Sequence, residues 1–299
     1  MAESASNAGR VVVVTGAGQG IGRAHALAFA ADGAKVVVND FVAEAADAVA
    51  DEIRTTGGDA ITAAGDVADW DTAAGIVATA VDEFGALDAL VNNAGFVRDR
   101  MLVSMAEDEW DAVVRVHLKG HFVMLRHAAA YWRAQAKAGS PRTARVVNTS
   151  SGAGLYGSVG QGNYVAAKAG IAALTIQAAA EMGGYGVTVN AIAPAARTGM
   201  TLGAGEAMAA QMAAPDDGSF DAMDPANISP LVCWLASPQS GEVTGRVFEV
   251  EGGKISITDG WQRSVERDKG ARWESSELGP VIAEIIAKAP VPMPVYGAR

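Results

Sequence analysis

The sequence is poor in several residue types, and each shortage excludes a class of protein. Its single cysteine, Cys233, rules out an internal disulfide and any metal site built from cysteines. No segment reaches the roughly 18 uninterrupted apolar residues of a membrane helix. The polar residues 1–7 lack the apolar region of a signal peptide. We therefore expect a cytoplasmic protein with no membrane partner.

Basic residues are also scarce. Lys and Arg number 23 against 34 Asp and Glu, the formal net charge is −11, and no basic run occurs, so a nucleic-acid partner is not expected. An anionic substrate would need scattered cations such as Arg98, Arg100 and Lys254. His117 and His121 lie four residues apart without a third ligand nearby, so we predict no metal site.

The 299 residues are half hydrophobic and include 35 glycines, which suits a large core with many tight turns. Strand and helix patterns alternate along the chain. They predict one doubly wound Rossmann-type α/β fold, a seven-stranded parallel sheet flanked by helices. We assign residues 1–253 to this domain, with a Gly-, Ala- and Met-rich substrate lid at about 199–224.

Residues 254–299 are predicted to form a C-terminal helical extension. Its apolar residues recur at the spacing of one amphipathic helix face: Leu278, Val281, Ile282, Ile285 and Ile286. This helix could pack on its own domain, on a neighbouring subunit or over the substrate mouth, and the sequence does not choose among them.

A phosphate-binding turn is predicted near the start of the chain. Four valines in residues 10–15 indicate a strand buried on both faces, and the run Gly16-Ala17-Gly18-Gln19-Gly20-Ile21-Gly22 leads from it into a helix. Glycines allow the backbone to approach a pyrophosphate, and the helix N-terminus favours negative charge. A glycine-rich turn is weak evidence alone, but it is strong between a buried strand and a helix.

Two acidic residues follow the next strands. Asp40 ends the second strand, where it can accept hydrogen bonds from both ribose hydroxyls of adenosine and would repel a 2′-phosphate, so we predict NAD rather than NADP. Asp66 follows the third strand and is placed to meet the adenine ring, with Val67 packing on it. The alternative is that Asp66 only caps the next helix.

The strongest catalytic pattern is Ser151, Tyr164 and Lys168. Tyr164 and Lys168 are four residues apart in a helical segment, so they would share one face. There an ammonium can lower the pKa of a phenol, which can then exchange a proton with an alcohol. Ser151, at a strand end, can hydrogen-bond the same oxygen. Tyr-x-x-x-Lys alone also fits a surface pair one turn apart.

Together with residues 15–22 and Asn92-Asn93-Ala94-Gly95, these three residues resemble the short-chain dehydrogenase/reductase family from about residue 10 to residue 253. Other motifs resemble its (3R)-hydroxyacyl-CoA dehydrogenase branch, found in peroxisomal multifunctional enzymes of type 2: residues 38–40, 116–120, 154–157 and 192–194.

The resemblance implies roles for matching residues. Tyr164 would be the general acid/base, Lys168 would hold the nicotinamide ribose and lower the Tyr164 pKa, and Ser151 would polarise the substrate oxygen. His117 stands where the family at large has asparagine and would support a water relay, mainly through its backbone. The implied NAD contacts are Gly16, Gln19, Gly20, Ile21, Gly22, Asp40, Asp66, Val67, Asn93, Ala94, Gly95, Tyr164, Lys168, Pro194 and Thr198.

One departure bears on that site. The family's usual Pro-Gly after the sixth strand is Pro194-Ala195 here, and Thr198 lies one residue closer to the proline than usual. The resemblance implies that Thr198 is a partner of the cofactor's carboxamide.

We therefore expect an NAD-dependent oxidoreductase that converts a secondary alcohol, a (3R)-hydroxyacyl-CoA, to a ketone in β-oxidation of fatty acids or sterol side chains. The alternatives are a hydroxysteroid of 17β type or another bulky apolar alcohol as substrate, and a non-catalytic NAD-binding protein. The resemblance also implies a homodimer or homotetramer formed through helices near 107–133 and 162–182.

Overall fold

A computed structural model describes residues 7–199, 210, 212–258 and 260–298. An eight-stranded sheet lies at its centre, with the order β3-β2-β1-β4-β5-β6-β7-β8. The strands are β1 (Val11–Val14), β2 (Lys35–Val38), β3 (Asp59–Thr62), β4 (Ala89–Asn92), β5 (Ala144–Thr149), β6 (Val187–Ala195), β7 (Val247–Glu251) and β8 (Lys254–Thr258). Chain order reverses between β1 and β4, so the doubly wound prediction is confirmed.

The predicted strand number was wrong. Strands β1 to β7 are parallel, but β8 pairs antiparallel with β7 and comes from residues that we had assigned to the C-terminal extension. The physical cause is the Gly252-Gly253 turn, where Gly252 has φ +53° and the chain reverses in two residues. A Gly-Gly pair is a known hairpin signal.

Helices cover both faces of the sheet. The helices of the described residues are α1 (Gly20–Ala31), α2 (Ala43–Thr55), α3 (Trp70–Phe84), α4 (Glu107–Val114), α5 (Gly120–Lys137), α6 (Gly152–Tyr156), α7 (Gly162–Met182), α8 (Ser229–Ala236) and α9 (Leu278–Lys288), and α9 does not belong to this covering layer. The sequence suggested one continuous helix from about 107 to 133. A π-helical turn, Arg115–Lys119, instead separates α4 from α5. Such turns insert one extra residue and often mark functional positions.

The central strands are buried on both faces. In β1, Val12 and Val14 belong to the core under α1 and α2, whereas Val11 and Val13 belong to the core under α3 and α5. The sequence of a strand without a solvated face is a continuous run of apolar residues. Polar chemistry is therefore displaced to the strand ends.

In the C-terminal region, helix α9 lies outside the two buried cores. Helix α9 confirms the amphipathic pattern, yet none of its residues is buried, and Ile286 is 67% exposed. Ion pairs Arg267–Glu284 and Lys269–Glu277 connect the helix region to the preceding chain. The proposed division at residue 253 stays a prediction.

Part of the predicted lid, residues 200–209 and 211, lies outside the described residues. The described part after it folds back on the loop that follows β6. The Arg197 guanidinium donates to the Met212 carbonyl oxygen at 2.8 Å and pairs with the Asp221 carboxylate. Among the residues described, no helix is long and apolar enough to cross a membrane.

Trp132 tests the core under α5. Its ring is fully buried, and its indole N–H donates to the Leu87 carbonyl oxygen at 2.8 Å. We expect Trp132→Ala to lower the free energy of unfolding by about 3–5 kcal/mol, because it leaves a cavity and an unpaired carbonyl. Chemical denaturation measures the change. Trp261→Ala, at a fully exposed tryptophan, should stay within about 0.5 kcal/mol of the unsubstituted protein, and an equal loss in both variants would contradict this account of the core.

Candidate active site

The glycine-rich turn lies against the carboxyl end of β4. Gly16 has φ +61°, and a Cβ there would come 2.7 Å from the Ala94 Cα. A Cβ at Gly22 would lie 2.1 Å from the Gly16 carbonyl oxygen. No larger residue fits at either position, so the glycines bring the α1 N-terminus and the end of β4 together.

Asn93 joins the same two segments. Its side-chain amide donates to the carbonyl oxygens of Thr15 and Gly16, at 3.0 and 3.1 Å. The Thr15 hydroxyl in turn accepts from the backbone N–H groups of Asn93 and Ala94. The sequence motif contained Thr15, but we had not placed it among the site residues.

Asp40 faces the turn from the end of β2. Its carboxylate accepts hydrogen bonds from the Gly18 N–H at 2.9 Å and from the Val42 N–H at 3.0 Å. A Cβ at Gly18 would meet an Asp40 oxygen at 2.9 Å. The acid is therefore held beside the glycine-rich turn.

Asp66 does not cap a helix, so the alternative for this residue was wrong. The N-cap of α3 is Asp69, whose side chain accepts from the Thr72 N–H at 2.8 Å. Asp66 accepts instead from the Ala68 N–H at 2.8 Å and pairs with the Arg115 guanidinium at 2.7 Å. Sequence reasoning missed Arg115, since nothing local links residues 49 positions apart.

The remaining expected cofactor contacts lie around the turn or on β6. Thr198 is the neighbour of Gly20, with its Cγ2 3.5 Å from where a Cβ would stand. Gln19 is exposed at the N-cap of α1, Ile21 packs on the core, Val67 is buried, and Pro194 lies in β6. Their roles toward a cofactor remain predictions.

Ser151 and Tyr164 meet at the carboxyl end of β5. The Tyr164 hydroxyl hydrogen-bonds the Ser151 side chain, and the Ser151 Oγ accepts from the Ala153 N–H at 3.2 Å. Asn163 fixes the start of α7, because its amide donates to the carbonyl oxygens of Arg98 and Glu109, each at 3.0 Å. Serine and phenol thus converge on one point, where a substrate oxygen could receive both.

Lys168 lies one turn further along α7, as the sequence predicted. It is 2% exposed, its Nζ donates to the Thr149 carbonyl oxygen at 2.7 Å, and the same nitrogen is 5.4 Å from the centre of the Tyr164 ring. Burial lowers the pKa of Lys168 to about 7. A substantial fraction of this amine is therefore neutral near neutral pH.

The electrostatics of Tyr164 differ from the sequence-based expectation. Burial raises the pKa of Tyr164, and this effect exceeds the lowering by the Ser151 hydrogen bond, while the Asp99 charge raises the pKa further. The chain's own groups therefore keep the phenol protonated at neutral pH. The net pKa of Tyr164 is thus raised rather than lowered, and the role of Lys168 toward this phenol stays a prediction.

His117 lies in the π-helical turn beside this group. Its Nε2 donates to the Phe96 carbonyl oxygen at 2.7 Å, and its ring stands edge-on to Tyr164 with centroids 5.2 Å apart. Burial strongly lowers the His117 pKa, so the imidazole is neutral. A Cβ at Gly95 would lie 2.1 Å from the imidazole Cε1, so the Gly95 position accommodates this ring. Within the described ranges, no cluster of three or more His, Cys, Asp or Glu residues could hold a metal ion.

Comparison with known proteins decides the family. The profile of the short chain dehydrogenase family matches residues 10–214. The chain belongs to the short-chain dehydrogenase family. It is an oxidoreductase of this family acting on CH–OH groups, and the family generally uses NAD(P).

Named relatives support a finer placement. The chain is 48% identical over 291 residues to the hydroxyacyl-CoA dehydrogenase ChsB1 of Mycobacterium tuberculosis, covering 93% of this chain and 89% of that protein. It is 41% identical over 269 residues to the mouse peroxisomal multifunctional enzyme type 2, covering 86% of this chain and 33% of that protein. It therefore spans about a third of the mouse protein.

A solved short chain dehydrogenase from Mycobacterium avium has the same architecture. The two chains are 59% identical with a TM-score of 0.89, and the match covers 97% of this chain and 99% of the other. The likeness includes nearly the whole length, so the family resemblance read from the motifs is confirmed.

Lys168 makes a prediction about pH. Its folded-state pKa of about 7 lies below the ordinary 10.5, so between these values the unfolded chain binds a proton that the folded chain does not. The free energy of unfolding should therefore gain up to about 1.4 kcal/mol per pH unit from Lys168 between pH 7 and about 9. Denaturation across this range should show that Lys168→Met removes this contribution.

The control is Lys137→Met, at the exposed end of α5. This variant should keep the pH dependence of the unsubstituted protein. If Lys168→Met also keeps it, the buried amine is charged throughout and the assignment is wrong.

Proposed function

We propose that this protein is an NAD-dependent dehydrogenase that oxidises a secondary alcohol, and that its substrate is a (3R)-hydroxyacyl-CoA. The observation that carries the proposal is the convergence of Ser151, Tyr164 and Lys168 beside the glycine-rich turn. Such an oxidation requires a proton acceptor close to a dinucleotide-binding site, and both would lie at one edge of the sheet.

NAD rather than NADP is supported by Asp40. Its carboxylate is anchored by two backbone N–H groups, which fix a negative charge near the expected ribose. A 2′-phosphate there would meet a like charge, and such contacts cost several kcal/mol. Gly16, Gly20 and Gly22 would receive the pyrophosphate, and Asn93 and Thr198 would lie along the remainder of the cofactor.

In the proposed mechanism, Ser151 holds the substrate hydroxyl and Tyr164 accepts its proton. NAD, when bound at the glycine-rich turn, would supply the hydride acceptor and a positive charge near the phenol. Tyr164 must lose its own proton first, and its raised pKa makes this step unfavourable for the protein alone. Lys168, with a pKa near 7, is suited to exchange that proton at neutral pH.

The thioester substrate is supported by the relatives. ChsB1 is named a hydroxyacyl-CoA dehydrogenase, and it matches most of this chain. Cations for coenzyme A phosphates are few, because Arg100 is already paired with Glu109 at 2.7 Å. Arg98 stacks on the Phe96 ring at 5.0 Å, and Lys254 lies exposed at the start of β8. Arg98 and Lys254 are therefore the candidates to bind the phosphates of coenzyme A.

A hydroxysteroid or another bulky apolar alcohol is the second candidate. Met101, Leu102 and Val103 form an exposed apolar rim, and Val103 is 93% exposed. Leu102 packs beside Gly162, two residues before Tyr164. An apolar rim at the site mouth favours an apolar substrate of either kind.

We also propose a homodimer or homotetramer formed through α4, α5 and α7. Each helix carries an exposed large apolar residue, namely Trp110, Phe122 and Ile176. Apolar residues exposed on neighbouring helices fit an interface better than a solvated surface. Sedimentation would show whether the protein is larger than a monomer.

Asp40→Asn tests the cofactor choice. The amide keeps an acceptor for the Gly18 N–H but removes the charge, so we expect the preference for NAD+ over NADP+, as a ratio of kcat/KM values, to fall at least about tenfold. Asp47→Asn, on the exposed face of α2, is the matched control and should keep the ratio. An unchanged ratio in Asp40→Asn would remove the argument for NAD.

Tyr164→Phe tests the chemistry. We expect turnover to fall by about 10²–10⁴, because the proton acceptor is lost, while NADH binding followed by fluorescence stays intact. Substrates are a (3R)-hydroxyacyl-CoA and a 17β-hydroxysteroid, assayed in parallel by NAD+ reduction. Tyr185→Phe, beyond the far end of α7, should retain activity.

The outcomes separate the candidates. Turnover of the thioester supports the proposal, and turnover of the steroid alone supports the second candidate. Loss of NADH binding in Tyr164→Phe would show that the fold was damaged, whereas retained turnover would exclude Tyr164 as the acid/base.

A further inference from the structure

Near its C-terminus the described chain returns to the loop that follows α6. Residues 295–297, here called the C-terminal strap, run along the loop that follows α6. The Val159 N–H donates to the Tyr296 carbonyl oxygen at 2.9 Å, and the Tyr296 N–H donates to the Gly157 carbonyl oxygen at 3.1 Å. These two bonds join segments about 140 positions apart, and both belong to the same chain.

Side chains reinforce the pairing. Val295 covers Gly157, where a Cβ would lie 3.2 Å from the valine Cγ1 and where φ is +87°. A Cβ at Gly297 would lie 3.6 Å from the Val159 Cβ, so Gly297 is also next to this loop. The strap therefore packs on the loop between α6 and α7. Ser151 is the N-cap of α6, and Tyr164 lies in the first turn of α7.

Tyr296 reaches closest to the reacting groups. A Cβ at Gly152, the residue after Ser151, would stand 2.6 Å from the Tyr296 hydroxyl oxygen. Consecutive Cα atoms are about 3.8 Å apart, so this hydroxyl lies within about 8 Å of the Ser151 Cα. Gly152 does not have a positive φ. Its lack of a side chain instead makes room for the tyrosine.

A second tyrosine completes this side of the site. The Tyr156 ring is edge-on to Tyr296 with centroids 6.0 Å apart, and its hydroxyl donates to the Glu249 Oε2 at 2.6 Å. Glu249 lies on β7, so the sheet holds Tyr156 in place. Burial raises the pKa of both phenols, which remain neutral at physiological pH.

We propose that Tyr296 is a specificity-determining residue, which forms a wall of the substrate site beside Ser151 and limits the width of the group attached to the reacting carbon. The inference rests on the proposed function, since it assigns the substrate to the side of Ser151 that Gly152 and Tyr296 share. Tyr296 is 47% exposed, so its ring does not belong to the core.

The test compares two acyl groups on the same enzyme. The substrates are a straight-chain and a ring-bearing (3R)-hydroxyacyl-CoA, and the readout is the ratio of their kcat/KM values. We expect Tyr296→Ala to shift this ratio at least about tenfold toward the bulky substrate, mainly through KM, with the KM for NAD+ unchanged. Tyr296→Phe keeps the ring and should stay within about threefold.

Gly152→Ala provides a steric test of the same contact. Its methyl group should displace the tyrosine ring and shift the ratio in the same direction. In the Gly152→Ala/Tyr296→Ala double variant, no ring remains to displace, so the added methyl should have little further effect. Val291→Ala, at a residue that is 92% exposed, is the control and should match the unsubstituted enzyme.

Two failures are distinguishable. If the unsubstituted enzyme turns over neither thioester, the proposed function fails and this inference falls with it. If the enzyme is active but Tyr296→Ala leaves the ratio unchanged, the strap does not border the substrate and only this inference is overturned. A fall in melting temperature with an unchanged ratio would likewise assign Tyr296 a purely structural role.

Discussion

The constraint on which this site depends is the burial of a parallel sheet on both faces. Because helices cover β1, β4 and β5 on each side, a polar side chain within these strands has no water to solvate it. Polar chemistry is possible where the strands end. The carboxyl ends of parallel strands lie at one edge, so the glycine-rich turn, Asp40, Asn93 and Ser151 are gathered there although they are far apart in sequence.

Burial also shifts the pKa values of the side chains in the candidate site. It lowers the pKa of Lys168 and of His117, and it raises that of Tyr164. All three shifts favour the uncharged form, as desolvation requires. The protein alone therefore holds a nearly neutral site, in which any charge brought by a cofactor is poorly screened and acts strongly on the phenol.

The position of His117 is set by packing. The π-helical turn between α4 and α5 places the imidazole against Gly95, where a methyl group would overlap the ring, and beside Tyr164. The histidine and the glycine form one steric unit. The imidazole of His117 hydrogen-bonds Phe96 in the loop after β4 and stands edge-on to Tyr164, so a single side chain links this loop to α7.

Local pattern was enough to determine much of this protein. Valine runs predicted the buried strands, glycines predicted the turn at Gly16–Gly22, and the four-residue spacing predicted that Tyr164 and Lys168 share a face of α7, because each of these depends on neighbours in the chain. Contacts between distant residues were decided only by the tertiary structure. The pair Asp66–Arg115, the pKa of Lys168, the pairing of β8 and the position of Tyr296 over Gly152 depend on which segments meet and how much water they exclude. No local spacing encodes either quantity.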